Sequence, residues 1–554
     1  MLTGIAKKQN GKERLYTVGL PLLMLVLELS AIVAYVFVHG RYLINSDASA
    51  ELILSNLLNE LHEPVMTDQW YYSTELRVLN TQLIYRIALL IFPGNWQAAR
   101  ILSIVVLLLI LLLCGWFLLR SAGLSRAYLW WLCVLIAPFG QWYGNYITYN
   151  CYYVPHVALS FISIGLMLRL LRADHAGGRA KQRVLALLLG LVCLVAGLGG
   201  VRQLMICYAP AFLAAFFLWL LAVRNEGKDK KSFREFLLHS RQTRCLILGF
   251  YVLLLGGIGF LINSKILSRR YFFRAYGGST FKAFDLDYFL SAFSDLLGLF
   301  GWTPDVPMLS AAGIGNVLAV CAVLAIVYFC VRAVRRAGRF DFAIQYLIAF
   351  TVILTLADLF VFSTIGWYMA PYWVPVMPFI LLLAFIGLVD TVHTISFRKI
   401  GIACVCIWFC FCSLMTMKNP IPGDMQYDEN DVPVAAFLKG TDYTQGIATM
   451  WEADVLTELT NGQVEMWMVK DWDNLTVDPW LQKTSHSDAL PEGKFFLVYN
   501  PNRAKSPETT LPAEGLKDYE ILNTGKRIVY GFDSVQQYFA AYEKAKAQYP
   551  ADTE

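Results

Sequence analysis

Long apolar runs recur along the whole chain. Stretches of about 17 to 23 residues with few charges cover 16–38, 100–119, 127–143, 154–171, 184–200, 205–222, 245–263, 316–334, 341–363, 373–390 and 399–417, each long enough for a helix to cross the hydrocarbon core of a bilayer. In that solvent every backbone N–H and C=O must be satisfied within the segment, so the runs are helices. About eleven crossings follow. Hydrophobic residues fill 57% of the 554 positions and charged residues 16%, with a mean hydropathy of +0.51, so the fold class is a polytopic α-helical membrane protein. The net charge of +5 lies in short clusters with no broad basic face, which excludes nucleic acid as a partner.

Direction follows from the basic residues. With the N-terminus cytoplasmic and 76–92 not crossing, the clusters at 120–126, 169–183, 224–244, 332–339 and 398–399 all face inside. That places about twenty-four Lys and Arg on the cytoplasmic side against about ten outside, the C-terminal tail not counted. A crossing at 76–92 would reverse every later loop, so this segment, with Arg77, Asn80, Gln82 and Arg86 and a stop at Pro93-Gly94, is expected to lie along the outer surface. The run after Lys7, Lys8, Lys12 and Arg14 is too long for a signal peptide and is read as an anchor. A multi-pass plasma-membrane protein results. Its outer pieces are loops 39–99, 144–153 and 264–315 and everything after Met417.

Domains are expected at 1–417 in the membrane and 418–554 outside. The tail alternates strand-like GIATM, VEMWMV, KFFLVYN and RIVYGF with helix-like VPVAAFLKG, ADVLTEL and SVQQYFAAYEKAKA, which predicts a small soluble α/β domain. It contains no cysteine, and eleven of the twelve lie in or beside apolar runs, so no disulfide framework is encoded. Cys404, Cys406, Cys410 and Cys412 fall inside such a run, a poor setting for a metal.

Asp47 stands about one turn beyond the first span, at the start of INSDASAELILSNLLNELH. Ala50, Ile53, Leu54, Leu57, Leu58 and Leu61 share one face of that helix and Ser49, Asn56, Asn59 and Glu60 the other, so it is expected to rest on the outer leaflet. A carboxylate there can take a proton from an acceptor hydroxyl; helix capping by Asn45, Ser46 or Asp47 explains the same residues. Glu51, one turn on, shares both readings. Lys265, Arg269, Arg270 and Arg274 break the charge rule among aromatic residues on the outside, and guanidinium groups suit a phosphate, bound specifically or as bulk headgroups. Arg202, between two closely spaced spans, either faces a cavity or snorkels. In QWYGNYITYNCYYVPH, Tyr143, Tyr146, Tyr149 and Tyr152 recur by three, with Asn145, Asn150 and His156 among them. Aromatic belt and sugar-binding surface both fit. Trp367, Tyr368, Tyr372 and Trp373 allow the same two readings.

Taken in order, an acidic residue after the first span (Asp47), a surface helix, a second one ending in the FPGNWQAAR segment (Phe92 to Arg100), a Gly-rich turn (Gly197 to Arg202), a late WYMAPYWVPVMP and an external α/β tail resemble the GT-C glycosyltransferases. The resemblance covers most of the chain. It implies transfer of a sugar from a polyprenyl-phosphate donor in the membrane lipid to a sugar, lipid or protein acceptor on the outer face. Asp47 would be the catalytic carboxylate, the loop arginines and Arg202 would hold the donor phosphate, and Glu51, Asn145, Tyr149 and His156 would contact substrate. Many relatives carry a second acidic residue in the second outer loop, where this chain has Asn145, Asn150 and His156. A divalent metal bridging two carboxylates is therefore not expected, and the transfer that the resemblance implies is metal-independent and inverting. Two other classes compete: a transporter or flippase of lipid-linked sugars, which would share the arginines and the aromatic entrance but would call for internal repeats and more mid-span charges than Asp358 alone, and a non-catalytic scaffold whose tail binds a partner.

Overall fold

A computed structural model describes residues 14–124, 128–172, 178–226, 236, 240–274, 280–303, 305–364, 370–391, 413–414, 416–418, 431–503 and 510–548. In chain order the helices of eight residues or more are α1 (Leu20–His39), α2 (Ser46–Glu60), α3 (Gln82–Ile91), α4 (Trp96–Ser121), α5 (Leu129–Ile136), α6 (Val154–Arg172), α7 (Arg179–Leu198), α8 (Ala209–Glu226), α9 (Arg241–Lys265), α10 (Leu286–Leu299), α11 (Ala311–Arg335), α12 (Phe342–Thr364), α13 (Met377–Thr391), α14 (Asp431–Leu438), α15 (Met450–Leu459) and α16 (Val535–Gln548). The strands are β1 (Trp70–Tyr71), β2 (Gln445–Ala448), β3 (Glu465–Met468), β4 (Gln482–Lys483), β5 (Phe495–Tyr499), β6 (Glu520–Asn523) and β7 (Ile528–Phe532). Two compact units form. A helical unit contains Met1–Ala34, Ile104–Ile266 and Tyr276–Pro422, and a mixed unit contains Tyr35–Ser103, Leu267–Ala275 and Gly423–Glu554.

Among the described residues eight helices are long and apolar enough to span a bilayer. Most of the predicted span at 399–417, the cysteines at 404–412, Lys7, Lys8 and Lys12, and Trp367 and Tyr368 lie outside the described residues. Large side chains such as Leu187, Phe250, Leu324 and Phe360 stand out from the helices, a surface that lipid covers and water would not. Helix pairs meet through glycine: a Cβ at Gly197 would fall 2.2 Å from the carbonyl oxygen of Gly256, and one at Gly387 2.0 Å from that of Phe329. Small residues let backbones approach where no hydrophobic effect drives association.

The run at 127–143 is not one spanning helix. α5 stops at Ile136, because Ala137 precedes Pro138 and takes an extended backbone, ψ 130°. A Cβ at Gly140 would meet the Leu299 carbonyl oxygen at 1.9 Å, so the chain passes α10 only as glycine. The Tyr-rich segment is then no surface loop: Gly144–Tyr149 is a buried π-helical turn, a form concentrated at functional sites.

In the mixed unit, a five-stranded sheet of order β3-β2-β5-β7-β6 runs parallel from β3 to β5 and antiparallel through β7 and β6. Both faces are covered, so β5 reads as the unbroken apolar FFLVY. Phe495 and Leu497 join Trp467, Tyr530 and Tyr538 on one side, while Phe496 and Val498 join Val434, Leu456 and Met468 on the other. The four predicted strands and three predicted helices of the tail are present; β6 and the β1–β4 pair were not anticipated.

α2 departs from its predicted setting. Ser49, Glu51 and Ser55 are as buried as Leu54 and Leu58, so the helix does not lie on a leaflet with a wetted polar face. It packs against α3 and α15, and its polar atoms find partners there. α3 itself is the short amphipathic helix expected at 76–92, with Tyr85, Ala88 and Leu89 inward.

Candidate functional site

Asn45 caps α2, its side chain accepting from the Ala48 N–H at 2.8 Å. Asp47 is therefore not the cap; it stands in the first turn, half-buried, where the helix dipole favours an anion. Around it the mixed unit gathers charges. Glu51 is buried, 2.7 Å from Arg77 Nε, and accepts from Thr81 Oγ1 at 2.9 Å. Burial pushes the Glu51 carboxyl up, and Arg77 and Thr81 pull it back. Its oxygens are thus committed to the protein in this structure. Arg100 is held between both Glu458 oxygens, Tyr85 and the Ala48 carbonyl. Asp454 touches Ser46, at 3.1 Å.

The basic segment is fastened to the same unit. Tyr72 N–H donates to the Phe272 carbonyl and Arg274 N–H to that of Ser73, at 2.9 and 3.0 Å, and the Tyr71 and Phe272 rings meet edge to face. Arg269, Arg270 and Arg274 are exposed. Arg270 lies 3.3 Å from Asp68, and Arg274 lies against Asp478 and over the Trp480 ring. Exposed pairs of this kind contribute about 0–1 kcal/mol, little enough for a phosphate to displace the carboxylates. A recess of about 230 Å³ in this unit has Arg41, Arg100, Lys439 and Glu458 on its walls, an excess of positive charge.

The remaining predicted residues belong to the helical unit. Arg202 lies 5.0 Å from the ring centre of Tyr153 and 5.9 Å from that of Tyr372. Tyr153 adjoins the His156 and Tyr146 rings. Asn145 accepts from Asn150 Nδ2 at 2.5 Å, while its own amide nitrogen has no partner among the described residues. Tyr149 is buried beside them in the turn. So Asp47, Glu51 and the three loop arginines share one unit, and Arg202, Asn145, Tyr149 and His156 the other. Among the described residues no group of three His, Cys, Asp or Glu side chains is arranged to hold a metal. None of Arg77, Arg100, Asp454 and Glu458 was singled out from the sequence as a site residue; Arg77 counted there only against a span at 76–92. Only Arg100, a guanidinium closing FPGNWQAAR before a span, carried a signal there.

This arrangement of apolar helices and mixed unit has solved counterparts, and the chain shares their fold. ArnT from Cupriavidus metallidurans bound to undecaprenyl phosphate is similar over 93% of this chain and 98% of that one, with a TM-score of 0.55 and 14% identity. The Archaeoglobus fulgidus oligosaccharyltransferase tethered with an acceptor peptide is similar over 96% of this chain and 78% of that one, with a TM-score of 0.50 and 12% identity. No family model matches the sequence, and no curated relative matches it.

Proposed function

We propose that the chain is a glycosyltransferase moving a sugar from a polyprenyl-phosphate donor to an acceptor on the extracytoplasmic face, with inversion. The observation that carries this is a first-turn carboxylate, relieved of capping by Asn45, just beyond the first span of a GT-C fold. The Asp47 carboxylate takes the acceptor proton as the acceptor oxygen attacks the anomeric carbon. The bond from that carbon to the phosphate oxygen breaks, its electron pair stays on the phosphate, and one direct displacement inverts the centre. Arg269, Arg270 and Arg274 receive the phosphate charge, and Arg202 assists through the ring cluster of Tyr153 and Tyr372. Asn145, Tyr149 and His156 contact the sugar or the acceptor, and Glu51 acts by holding Arg77 and Thr81 below Asp47. The undecaprenyl phosphate bound to ArnT supports a polyprenyl donor. The sequence distribution of basic clusters supports a cytoplasmic N-terminus and an external mixed unit.

Purified chain is incubated with polyprenyl-phosphate sugars, comparing native protein with Asp47→Asn. A loss of about 100-fold or more is expected for removal of a general base; undiminished transfer removes Asp47 from the mechanism. Alanine at Arg269, Arg270 and Arg274 together should weaken donor binding at least about tenfold, the worth of one charged hydrogen bond, and unchanged affinity refutes the phosphate assignment. Translocation of donor without covalent transfer would favour the flippase.

A further inference from the structure

Three carboxylates project from α15, and two have guanidinium partners: Glu452 lies 3.3 Å from Arg527, and Glu458 pairs with Arg100. For Asp454, 4% exposed, no cation lies within ion-pairing distance among the described residues. Its neighbour is Ser46, whose Oγ is 3.1 Å from Asp454 Oδ2 and also hydrogen-bonded to the Met450 carbonyl oxygen. A serine hydroxyl has one proton, and a carbonyl can only accept. That one proton serves either the Met450 carbonyl or Asp454 Oδ2; given to the closer Met450 oxygen, it leaves the Asp454 contact to be made by a proton on the carboxyl, donated to Ser46 Oγ. Burial acts in the same direction and holds the Asp454 carboxyl well above its ordinary range; Ser46 opposes this, and the charges of Asp47 and Glu458 add to it. Those two groups are the charges facing it, Asp47 from α2 and Glu458 from its own helix, the latter neutralised by Arg100 of α4.

Ser46 and Asp47 are adjacent in the first turn of α2, so whatever fixes one fixes the backbone that carries the other. We propose that Asp454 is a positioning residue for sugar transfer: a neutral carboxylic acid, supplied by the C-terminal region, that clamps the first turn of α2 through Ser46 and thereby aims the Asp47 carboxylate. An ionised residue in its place would set a second negative charge beside Asp47 and repel the donor phosphate. The inference rests on the reading of Asp47 as the base.

Two measurements on the full chain test it. The infrared difference between native protein and Asp454→Asn, at neutral pH, needs no substrate; a carboxylic-acid C=O band that shifts in D2O is expected, and a carboxylate band in its place overturns the proposal. In transfer assays, Asp454→Ala and Ser46→Ala should each lower kcat about 10- to 100-fold with donor KM unchanged, as a misplaced catalytic group does. Asp454→Asn, whose amide donates to Ser46 as the acid does, should recover kcat to within about threefold of native by keeping that near-attack geometry. Asn as damaging as Ala overturns a neutral clamp, as does a KM effect alone. Should Asp454→Ala fail to fold, Ser46→Ala carries the same comparison. A native chain that transfers nothing while showing the acid band defeats the glycosyltransferase reading and leaves the protonated link standing; active protein with a carboxylate band does the reverse.

Discussion

Replacing Glu458 by Gln keeps its volume and removes its charge, which strands the Arg100 guanidinium in the mixed unit. The two side chains are 4% and 5% exposed, so water cannot take over. In the native protein Arg100 Nε and Nη2 each lie 2.5 Å from a Glu458 oxygen, Nη1 is 3.1 Å from the Tyr85 hydroxyl and Nη2 3.1 Å from the Ala48 carbonyl. After the change the Tyr85 hydroxyl, the Ala48 carbonyl and an uncharged amide face a full positive charge that has lost its carboxylate. Breaking a buried pair from one side costs about 3–5 kcal/mol, because the survivor is uncompensated. At 1.4 kcal/mol per decade this is a rise in the open population of roughly two to three and a half orders of magnitude. Arg100 contacts α2 and Glu458 belongs to α15, so the opening should register in both helices. Amide hydrogen exchange on the full chain, followed in peptides covering 46–60 and 450–459, reads that population directly. Arg100→Met with Glu458→Met should recover most of the protection, since a buried pair exchanged for apolar residues is often neutral. Protection within tenfold of native in Glu458→Gln, or a double variant equal to the sum of the singles, would refute the assignment of this pair as a desolvated, coupled unit.

Glu465 supplies a pH prediction. Its hydrogen bond from His486, assisted by Lys483 against burial, holds the carboxyl down at about 2, below an ordinary 4.5. A depressed folded value means that the stabilisation is present above pH 4.5 and is lost as pH falls toward 2. With 41% of the side chain exposed, screening reduces this to about 1 kcal/mol. Glu465→Gln should therefore lower stability near neutrality and flatten the acid limb, followed by the fluorescence of Trp467, which stacks on His486 at 4.3 Å; an unchanged acid limb counts against the pair. In the helical unit, Gly197→Val drives a side chain into the Gly256 carbonyl and should cost about 1–3 kcal/mol by forcing α7 from α9. Thermal unfolding in detergent measures it, and native-like melting would show that the close approach is dispensable.

How far these features could be read from the sequence depended on whether a solvent or a partner decides the residue. The bilayer decides the spans: Val154–Arg172, Arg179–Leu198, Arg241–Lys265 and Phe342–Thr364 end within a few residues of the apolar runs that predicted them. The sheet likewise decides FFLVY, since two covered faces demand an unbroken apolar strand. Where the run at 127–143 misled, hydropathy outvoted a local rule that was present, Pro138 forbidding helix at Ala137. Partners are different. Ser46 and Asp454 are 408 residues apart, and nothing periodic in either segment points to the other.

The helix α2 shows what such a partnership leaves behind. Its apolar face was visible, and the facing polar residues were assigned to water by default. Yet Asp47, Glu51 and Ser55 follow one another at intervals of four, a polar row along one side. Glu51 and Ser55 are buried, with Arg77, Thr81 and the Gln82 carbonyl as their partners. A helix that merely floated on lipid headgroups would have no use for a carboxylate and a short hydroxyl in register; long basic side chains suit that boundary better. Asp47 ends this row on its one half-buried position, above a Glu51 and a Ser55 whose partners lie within the protein. On the proposed reading that row aims the Asp47 carboxylate, and the loss of transfer expected for Asp47→Asn is the test of it.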